Sequence, residues 1–221
     1  MKAFDSNISY DTIDIFIQNS KSLVHLKNVA SRKYEATNVT NLNFFGMLKE
    51  TELIGKTLQD IDKLMLDYWG SNFIDSIEDI EKLVVEYNKP IKTRNIMFNR
   101  MNRLTVLNTI KYPVLNKNNV IKSILTSSED ITNNICPAVI YRSYRVFKNP
   151  KLAVVNFLKH FEIQEYFENT PSEAELLALI AFANRSKKSS NNRNQINWDY
   201  IDSLESKIYS NRIQSITEKI N

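Results

Sequence analysis

The residue types that most often do chemistry are few in this chain and far apart. The only histidines are His25 and His160, and the only cysteine is Cys136. Acid–base and nucleophilic catalysis need such groups within hydrogen-bond reach of one another. No GxSxG or HExxH pattern brings them together, so each histidine is interpreted as an ordinary structural or surface residue. We therefore expect no catalytic site, and a single cysteine forms neither an internal disulfide nor a cysteine-rich metal site.

The acidic residues and the glycines also give no sign of a catalytic site. Acidic residues such as Glu78, Asp79 and Glu81 look like the solvent face of a helix rather than a catalytic pair. The whole chain holds three glycines, and none belongs to a GxGxxG or GxxxxGK loop that could cradle a phosphate. These observations weigh strongly against a nucleotide-driven enzyme.

The bulk composition is that of a folded, water-exposed protein. Of 221 residues, 43% are hydrophobic and 24% are charged, with a formal net charge of +4. The sequence has no run of uncharged apolar residues long enough to span a bilayer, and it does not begin like a signal peptide. We expect a cytoplasmic protein with no membrane partner. The mild basic excess permits contact with nucleic acid without arguing for it.

The N-terminal half is predicted to contain a helix, a hairpin and short helices. Residues 8–18 have the spacing of an amphipathic helix. Two short strand candidates, 23–29 and 34–38, lie close enough to pair as a hairpin. Residues 40–66 look like short helical pieces, with Gly55 as a left-handed helix stop.

A long helix and three strands follow. Apolar residues recur every three or four positions in 71–88, which predicts one helix ending before a proline. The segments 91–99, 104–111 and 120–127 are strand candidates, and the asparagine-rich 116–119 is a turn. This order suits an antiparallel sheet with helices gathered on one face.

These pieces resemble the PAS family of sensory domains over residues 23–132. LVHLKNVASRKYEATN is similar to the family's opening hairpin, NLNFFGM and ELIGKTLQDI to its short helices, and Asp130-Ile131-Thr132 to its usual end. The resemblance implies an α+β protein with a five-stranded antiparallel PAS sheet, flanked by short helices, followed by a small all-helical domain. The expected division is an N-terminal helix in 1–20, a PAS domain in 21–132, a linker in 133–149 and a helical domain in 150–221.

The resemblance also implies a pocket between the sheet and the long helix. By position, its predicted lining is Phe45, Ile61, Met65, Trp69, Phe73, Ile77, Ile96, Val106, Asn108 and Ile124. Two interpretations stay open: a cavity for a small apolar ligand with Asn108 as its polar handle, or a filled core with no ligand. The flavin–thiol photosensors of the family need a cysteine among the short helices, and a haem sensor needs an axial histidine on the long helix. Neither residue is present there, so the cofactor is left unknown.

The C-terminal third resembles, less closely, the helix-turn-helix domain of LuxR-type regulators. TPSEAELLALIA is similar to that domain's opening helix, with Thr170 and Glu173 fitting a capping box. INWDYIDSLESKI can be aligned with its recognition helix. The polar stretch RSKKSSNNRNQ between them offers nothing apolar to pack a scanning helix, so the domain would be a degenerate relative.

The resemblance implies a DNA-binding surface. The candidate phosphate contacts are Lys187, Lys188 and Arg193, and the candidate base contacts are Asn194, Gln195, Asn197 and Trp198. A solvated basic loop is the competing interpretation. We expect a homodimer that pairs through the N-terminal helix. The favoured function is a signal-sensing PAS-containing transcriptional regulator or a degenerate relative of one. The alternative is a PAS-based adaptor that binds proteins and not DNA.

Overall fold

A computed structural model describes residues 10–65, 73–99, 103–187, 199–201 and 213–220. The chain divides into two compact units, Met1–Asn133 and Asn134–Asn221. Within the described residues, no helix combines the length and the apolar character needed to cross a bilayer.

The first unit is one antiparallel sheet with helices on both sides. Its elements in chain order are α1 (Tyr10–Asn19), β1 (Leu23–Asn28), β2 (Tyr34–Thr37), α2 (Val39–Phe44), α3 (Leu58–Met65), α4 (Phe73–Tyr87), β3 (Ile91–Phe98), β4 (Leu104–Leu115) and β5 (Ile121–Asp130). The strand order across the sheet is β2-β1-β5-β4-β3. An N-terminal hairpin and a C-terminal three-strand meander, joined by short helices, make this the PAS fold. The predicted fold class is confirmed.

Local side-chain contacts set where these elements begin. Asn38 caps α2 by accepting a hydrogen bond from the backbone N–H of Asn41 at 3.0 Å. Thr57 and Asp60 cap the start of α3 reciprocally, since each side chain accepts from the other residue's backbone N–H. Gly55 has a φ of +79°, the left-handed conformation that the sequence predicted for it.

The last strand ends at the predicted Asp130-Ile131-Thr132. Asp130 accepts from the backbone N–H of Thr132 at 2.9 Å, which turns the chain away from the sheet. The Thr132 hydroxyl in turn accepts from the backbone N–H of Val106 at 2.8 Å. These two bonds fasten the end of β5 to β4.

The two faces of the sheet are covered differently. On the outer face, Ile13 and Ile17 of α1 pack on a buried cluster formed by Val24, Leu26, Val114 and Leu125. On the inner face, α2, α3 and α4 contribute to a second core with Leu53, Ile61 and Leu107 at its centre. Because both faces are covered, apolar residues occur on both sides of each strand.

The second unit is helical in its described part. It contains α5 (Pro137–Phe147), α6 (Pro150–His160), α7 (Glu173–Lys187) and α8 (Ile213–Ile220). The linker expected in 133–149 is corrected by this result, because α5 lies within it and buries Ile140, Tyr141 and Tyr144.

Two helix starts in this unit are capped by side chains, and the second of them tests the predicted capping box. Asn149 caps α6 by accepting from Leu152 N–H at 3.0 Å, and Pro150 is the first residue of the helix, where its missing N–H leaves no bond unmade. The box at α7 lies two residues later than predicted. Ser172 accepts from the N–H of Glu175 at 3.3 Å, and Glu175 accepts from that of Ser172 at 2.7 Å. Glu173, the predicted partner, instead accepts from Arg145 at 2.8 Å.

Candidate ligand-binding site

A cavity of about 60 Å³ lies between the inner face of the sheet and the helices that cover it. Its apolar lining comprises Leu23, Tyr34, Phe44, Phe45, Leu58, Ile77, Met97 and Leu107. Its polar lining comprises His25, Asn41, Glu81, Asn95, Thr109, Lys111, Thr126 and Ser128. Half of the wall therefore carries groups that form hydrogen bonds, which is unusual for the core of a small domain.

The period-2 alternation of three strands places the polar groups together. On β1, β4 and β5 the inward positions hold His25, Thr109, Lys111 and Thr126, and the register sets His25 and Lys111 each opposite Thr126. Thr109 and Ser128 share a hydrogen bond of 2.9 Å between their hydroxyls. The centre of the sheet's inner face is thus a row of polar side chains.

A buried ion bridge closes one side of the cavity. Glu81 of α4 accepts from Lys27 Nζ of β1 at 2.7 Å through Oε2 and from Lys111 Nζ of β4 at 2.9 Å through Oε1. Each lysine side chain is 4% exposed, and that of Glu81 is 14% exposed. Lys111 also donates to Thr126 Oγ1 at 3.3 Å. The bridge ties the long helix to two strands of the sheet.

The charges of the bridge shift one another's protonation. Burial alone would raise the pKa of Glu81, but Lys111 and Lys27 together lower it below its ordinary value. Burial lowers the pKa of Lys111, and Glu81 opposes that shift. The Glu81 carboxylate is therefore ionised. Its negative charge in turn favours the charged form of Lys111.

His25 is held neutral beside this bridge. Burial, and then the charge of Lys111, lower the pKa of His25 to about 3. Its ring meets Tyr34 edge-on, with the ring centroids 5.0 Å apart. Its Nδ1 is buried and has no hydrogen-bond partner among the described residues. Thr93 Oγ1, on the same face of the sheet, is likewise buried and has no partner there. Burial also raises the pKa of Tyr34, which stays protonated.

A larger and more open groove of about 380 Å³ adjoins the cavity. It is lined by residues that include Lys27, Arg32, Glu78, Glu81 and Ile124. Glu81 lines both spaces, while its partner Lys111 lines the cavity and its partner Lys27 lines the groove.

Some of the predicted lining is where the sequence placed it. Phe45 and Ile77 line the cavity. Ile61 is fully buried in the core beneath it without reaching the wall, and Ile124 lines the open groove instead. The side chains of Met65, Trp69 and Phe73 lie outside the described residues.

The predicted contribution of the meander needs correction. Ile96 pairs with Val106, and Asn108 pairs with Arg94, which places all three predicted residues on the outer face of the sheet. Asn108 is exposed and accepts from Arg94 Nε at 3.5 Å, so it is not the polar handle of the cavity. The inward positions are the residues one step along, such as Asn95, Leu107 and Thr109. A one-residue offset exchanges the two faces of a strand.

The sequence interpretation missed the groups that dominate the site. Glu81 was expected on a solvent face but closes the bridge, and Lys27 and Lys111 were not singled out. A signal was present: polar residues sit two positions apart inside apolar strands, as in His25-Leu26-Lys27. A lysine at such a position faces the core and needs a buried partner.

The candidate DNA-binding residues cannot be placed on this structure. Lys187 ends α7, and its side chain is outside the described part, as are Lys188, Arg193, Asn194, Gln195, Asn197 and Trp198. Across the described stretches, no group of three or more histidine, cysteine or acidic side chains is arranged to hold a metal ion.

Comparison with known proteins gives structural neighbours of low sequence identity. No protein-family model matches the chain, and no curated protein matches it. A LOV protein of Rhodobacter sphaeroides is 13% identical over 70% of this chain and 81% of its own, with a TM-score of 0.46. The PAS domain of Bordetella pertussis BvgS is 12% identical over 62% of this chain and 94% of its own, with a TM-score of 0.48.

A third neighbour extends over both units. Vibrio cholerae VqmA, in a complex with ligand and DNA, is 14% identical over 96% of this chain and 86% of its own, with a TM-score of 0.48. The assignment of the first unit to the PAS fold rests on its own strand order and connections.

Proposed function

We propose that this protein is a cytoplasmic, homodimeric signal sensor, a PAS-containing transcriptional regulator or a degenerate relative of one. A small molecule in the cavity of the first unit is the signal, and the helical second unit is the output. The observation that carries the proposal is the buried bridge of Lys27, Glu81 and Lys111, of which Glu81 and Lys111 line the cavity.

A purely structural role accounts poorly for this wall. Burying two ammonium groups and a carboxylate costs free energy that a hydrophobic replacement of similar volume would not. An unpartnered buried polar atom such as His25 Nδ1 adds to that cost. Groups of this kind, converging on a concave space, are typical of a ligand site. The wall favours a polar ligand over the apolar one that the sequence suggested.

The bridge also supplies a route from ligand to helix. Glu81 belongs to α4, whereas Lys27 and Lys111 belong to strands. A ligand that changes how the lysines share the carboxylate changes the free energy that holds α4 against the sheet. A sensor needs such a differential interaction between two arrangements.

Support for DNA binding comes from the sequence of the second unit. Its capped α7 leads into a basic polar stretch, as the LuxR-type resemblance implies. Support for a dimer comes from α1, on which Ile15 is 65% exposed and Phe16 is 39% exposed while Ile13 and Ile17 pack on the sheet. These exposed side chains equally suit the adaptor alternative, in which they bind a different protein.

Salt-dependent binding to duplex DNA tests the regulator. We expect affinity to fall steeply with salt concentration, and the slope to flatten by roughly 0.9 for each phosphate contact removed in the triple variant Lys187→Gln, Lys188→Gln, Arg193→Gln. A matched triple variant of first-unit lysines, Lys89→Gln, Lys92→Gln and Lys117→Gln, should leave the slope unchanged. No measurable duplex affinity at low salt would reject the regulator and favour the adaptor.

A further inference from the structure

The ion bridge at the cavity carries an excess of positive charge, with Lys111 and Glu81 lining the cavity and Lys27 lining the adjoining groove. Lys27 and Lys111 both bond to Glu81, and within the described residues no other carboxylate lies within 4 Å of either ammonium group. His25 is neutral at physiological pH and does not alter this balance. Two buried ammonium groups therefore share one carboxylate. A buried uncompensated charge is unfavourable, and binding an anion removes it.

The two ammonium groups also have N–H donors that lack an acceptor among the described residues. An ammonium group has three N–H donors. In the described structure, Lys111 uses one donor on Glu81 and one on Thr126, and Lys27 uses one on Glu81. The remaining donors are on groups almost wholly shielded from solvent. They suit an acceptor that carries negative charge, because charge-assisted hydrogen bonds are the stronger ones.

The neighbouring neutral groups fit the same ligand. His25 Nδ1 is buried without a partner and can act as a donor in one tautomer of the neutral ring. The hydroxyls of Thr109, Thr126 and Ser128 line the same wall. The volume of about 60 Å³ has room for a ligand of a few non-hydrogen atoms. A short apolar tail would meet the Phe45, Ile77 and Leu107 side of the cavity.

We propose that the cavity binds a small organic anion of the carboxylate class, which takes up the free donor of Lys111 in competition with Glu81. The inference rests on the proposed sensor function and specifies its ligand. Glu81 acts as an internal counter-ion: it holds α4 against the sheet in the free protein and gives up part of its share of the lysines when the anion arrives. Signal and helix are thereby coupled through one pair of charges.

Matched pairs of probes isolate the charge. The whole chain is titrated by calorimetry with sodium acetate and with acetamide, and with sodium propionate and with propionamide, at constant ionic strength set with a large organic salt. Each acid anion and its amide have nearly the same size, so they differ in charge. We expect both anions to bind at least about tenfold more tightly than their amides. Equal affinity of anion and amide would overturn the proposal.

Two substitutions with opposite expected effects locate the site. Lys111→Met should weaken acetate binding at least about tenfold, because it removes the excess charge. Glu81→Gln should strengthen acetate binding by a similar factor, because it removes the competitor. Lys92→Met, the same change at an exposed lysine of β3, should behave as the wild type. Circular dichroism shows whether each variant is folded under the conditions of the titration. Weaker acetate binding by a folded Glu81→Gln contradicts the proposal.

Failure of this inference is distinguishable from failure of the sensor function. If an uncharged molecule binds the cavity and Lys111→Met does not weaken it, the ligand class is wrong and the sensor stands. If none of the four probes binds and the purified chain carries no small molecule in a native mass spectrum, both are rejected. DNA binding enters neither measurement.

Discussion

Lys111 Nζ of β4 and Glu81 Oε1 of α4 lie 2.9 Å apart, with the lysine buried and the carboxylate mostly buried, so the long helix is joined to the sheet by charge at the wall of the cavity. The same carboxylate accepts from Lys27 at 2.7 Å. In the usual core of a small domain such a contact would be apolar. The bridge makes the helix–sheet contact sensitive to whatever else the lysines bind.

Removing the carboxylate should cost more than removing one lysine. Glu81→Gln leaves two buried ammonium groups unpaired and should lower the free energy of unfolding by about 3–5 kcal/mol. Lys111→Met leaves a balanced Lys27–Glu81 pair and a side chain of similar length, so its cost should be clearly smaller. Urea unfolding measures both. Lys92→Met serves as the exposed control. Equal losses of unfolding free energy in Glu81→Gln and Lys111→Met would show that the bridge carries no excess positive charge.

Stability should fall as the solution is acidified, through His25. The pKa of His25 is lowered to about 3 in the fold, below its ordinary value, so the unfolded chain takes up a proton in the window where the folded chain does not. Stability is therefore complete above the unfolded pKa of about 6.5 and is lost as the pH falls toward the folded pKa, by at most about 1.4 kcal/mol per pH unit.

The test compares His25→Gln with the wild type between pH 7 and pH 5, where Glu81 does not yet titrate. His25 should contribute a loss of about 2 kcal/mol of unfolding free energy to the wild type over this range. His25→Gln should lack this contribution and lose about that much less. A slope unchanged in His25→Gln would mean that the imidazole is accessible to protons in the fold.

Asn38 should be one of the costliest polar side chains of the first unit to truncate. Its Oδ1 accepts from the backbone N–H groups of Val24 and Asn41, and its Nδ2 donates to the carbonyls of Ser20 and Ser22, at 2.8–3.2 Å. Asn38→Ala leaves several of these groups buried and unpaired, so we expect a loss of about 3 kcal/mol.

Asn149→Ala provides the comparison, since Asn149 caps α6 through one bond at an exposed position. Its expected cost is about 1 kcal/mol. Thermal or urea unfolding of the two units, followed separately by hydrogen exchange, gives both values. Comparable losses would indicate that the bonds of Asn38 are replaced by water.

The exposed side of α1 should hold the dimer together. Ile15→Asp introduces a charge on the apolar surface beside Phe16 and should shift the protein toward monomer in sedimentation experiments. Val120→Asp places the same charge on an exposed valine of the β4–β5 turn and should leave the assembly unchanged. A wild type that sediments as a monomer at high concentration would remove the dimer from the account.

The order of elements in the first unit could be predicted because each one carries a local signal. Gly55, the Asn116–Asn119 turn and the closing Asp130-Ile131-Thr132 mark ends that the structure places as expected. Strand β4 is longer than predicted, extending through Pro113 to Leu115, because tertiary pairing with β5 outweighs the local preference of proline.

The sequence could not show which residues of each strand point to the cavity, because both faces of the sheet are covered. Val106 is buried on the outer face and Leu107 is buried on the inner face, so hydrophobicity alone does not choose between them. The assignment of Val106 and Asn108 to the pocket was made by position from the PAS resemblance, and it selected the wrong side. The polar residues Thr109 and Lys111 mark the inner face of β4 only if polar and charged side chains are expected to line the cavity.

Native mass spectrometry of the purified chain and of its Lys111→Met variant shows whether the cavity holds an anion. The wild-type subunit should carry one small acidic molecule, released on denaturation, and the variant should not retain it. A wild type that carries nothing, or a neutral molecule held equally by both proteins, would contradict the proposal.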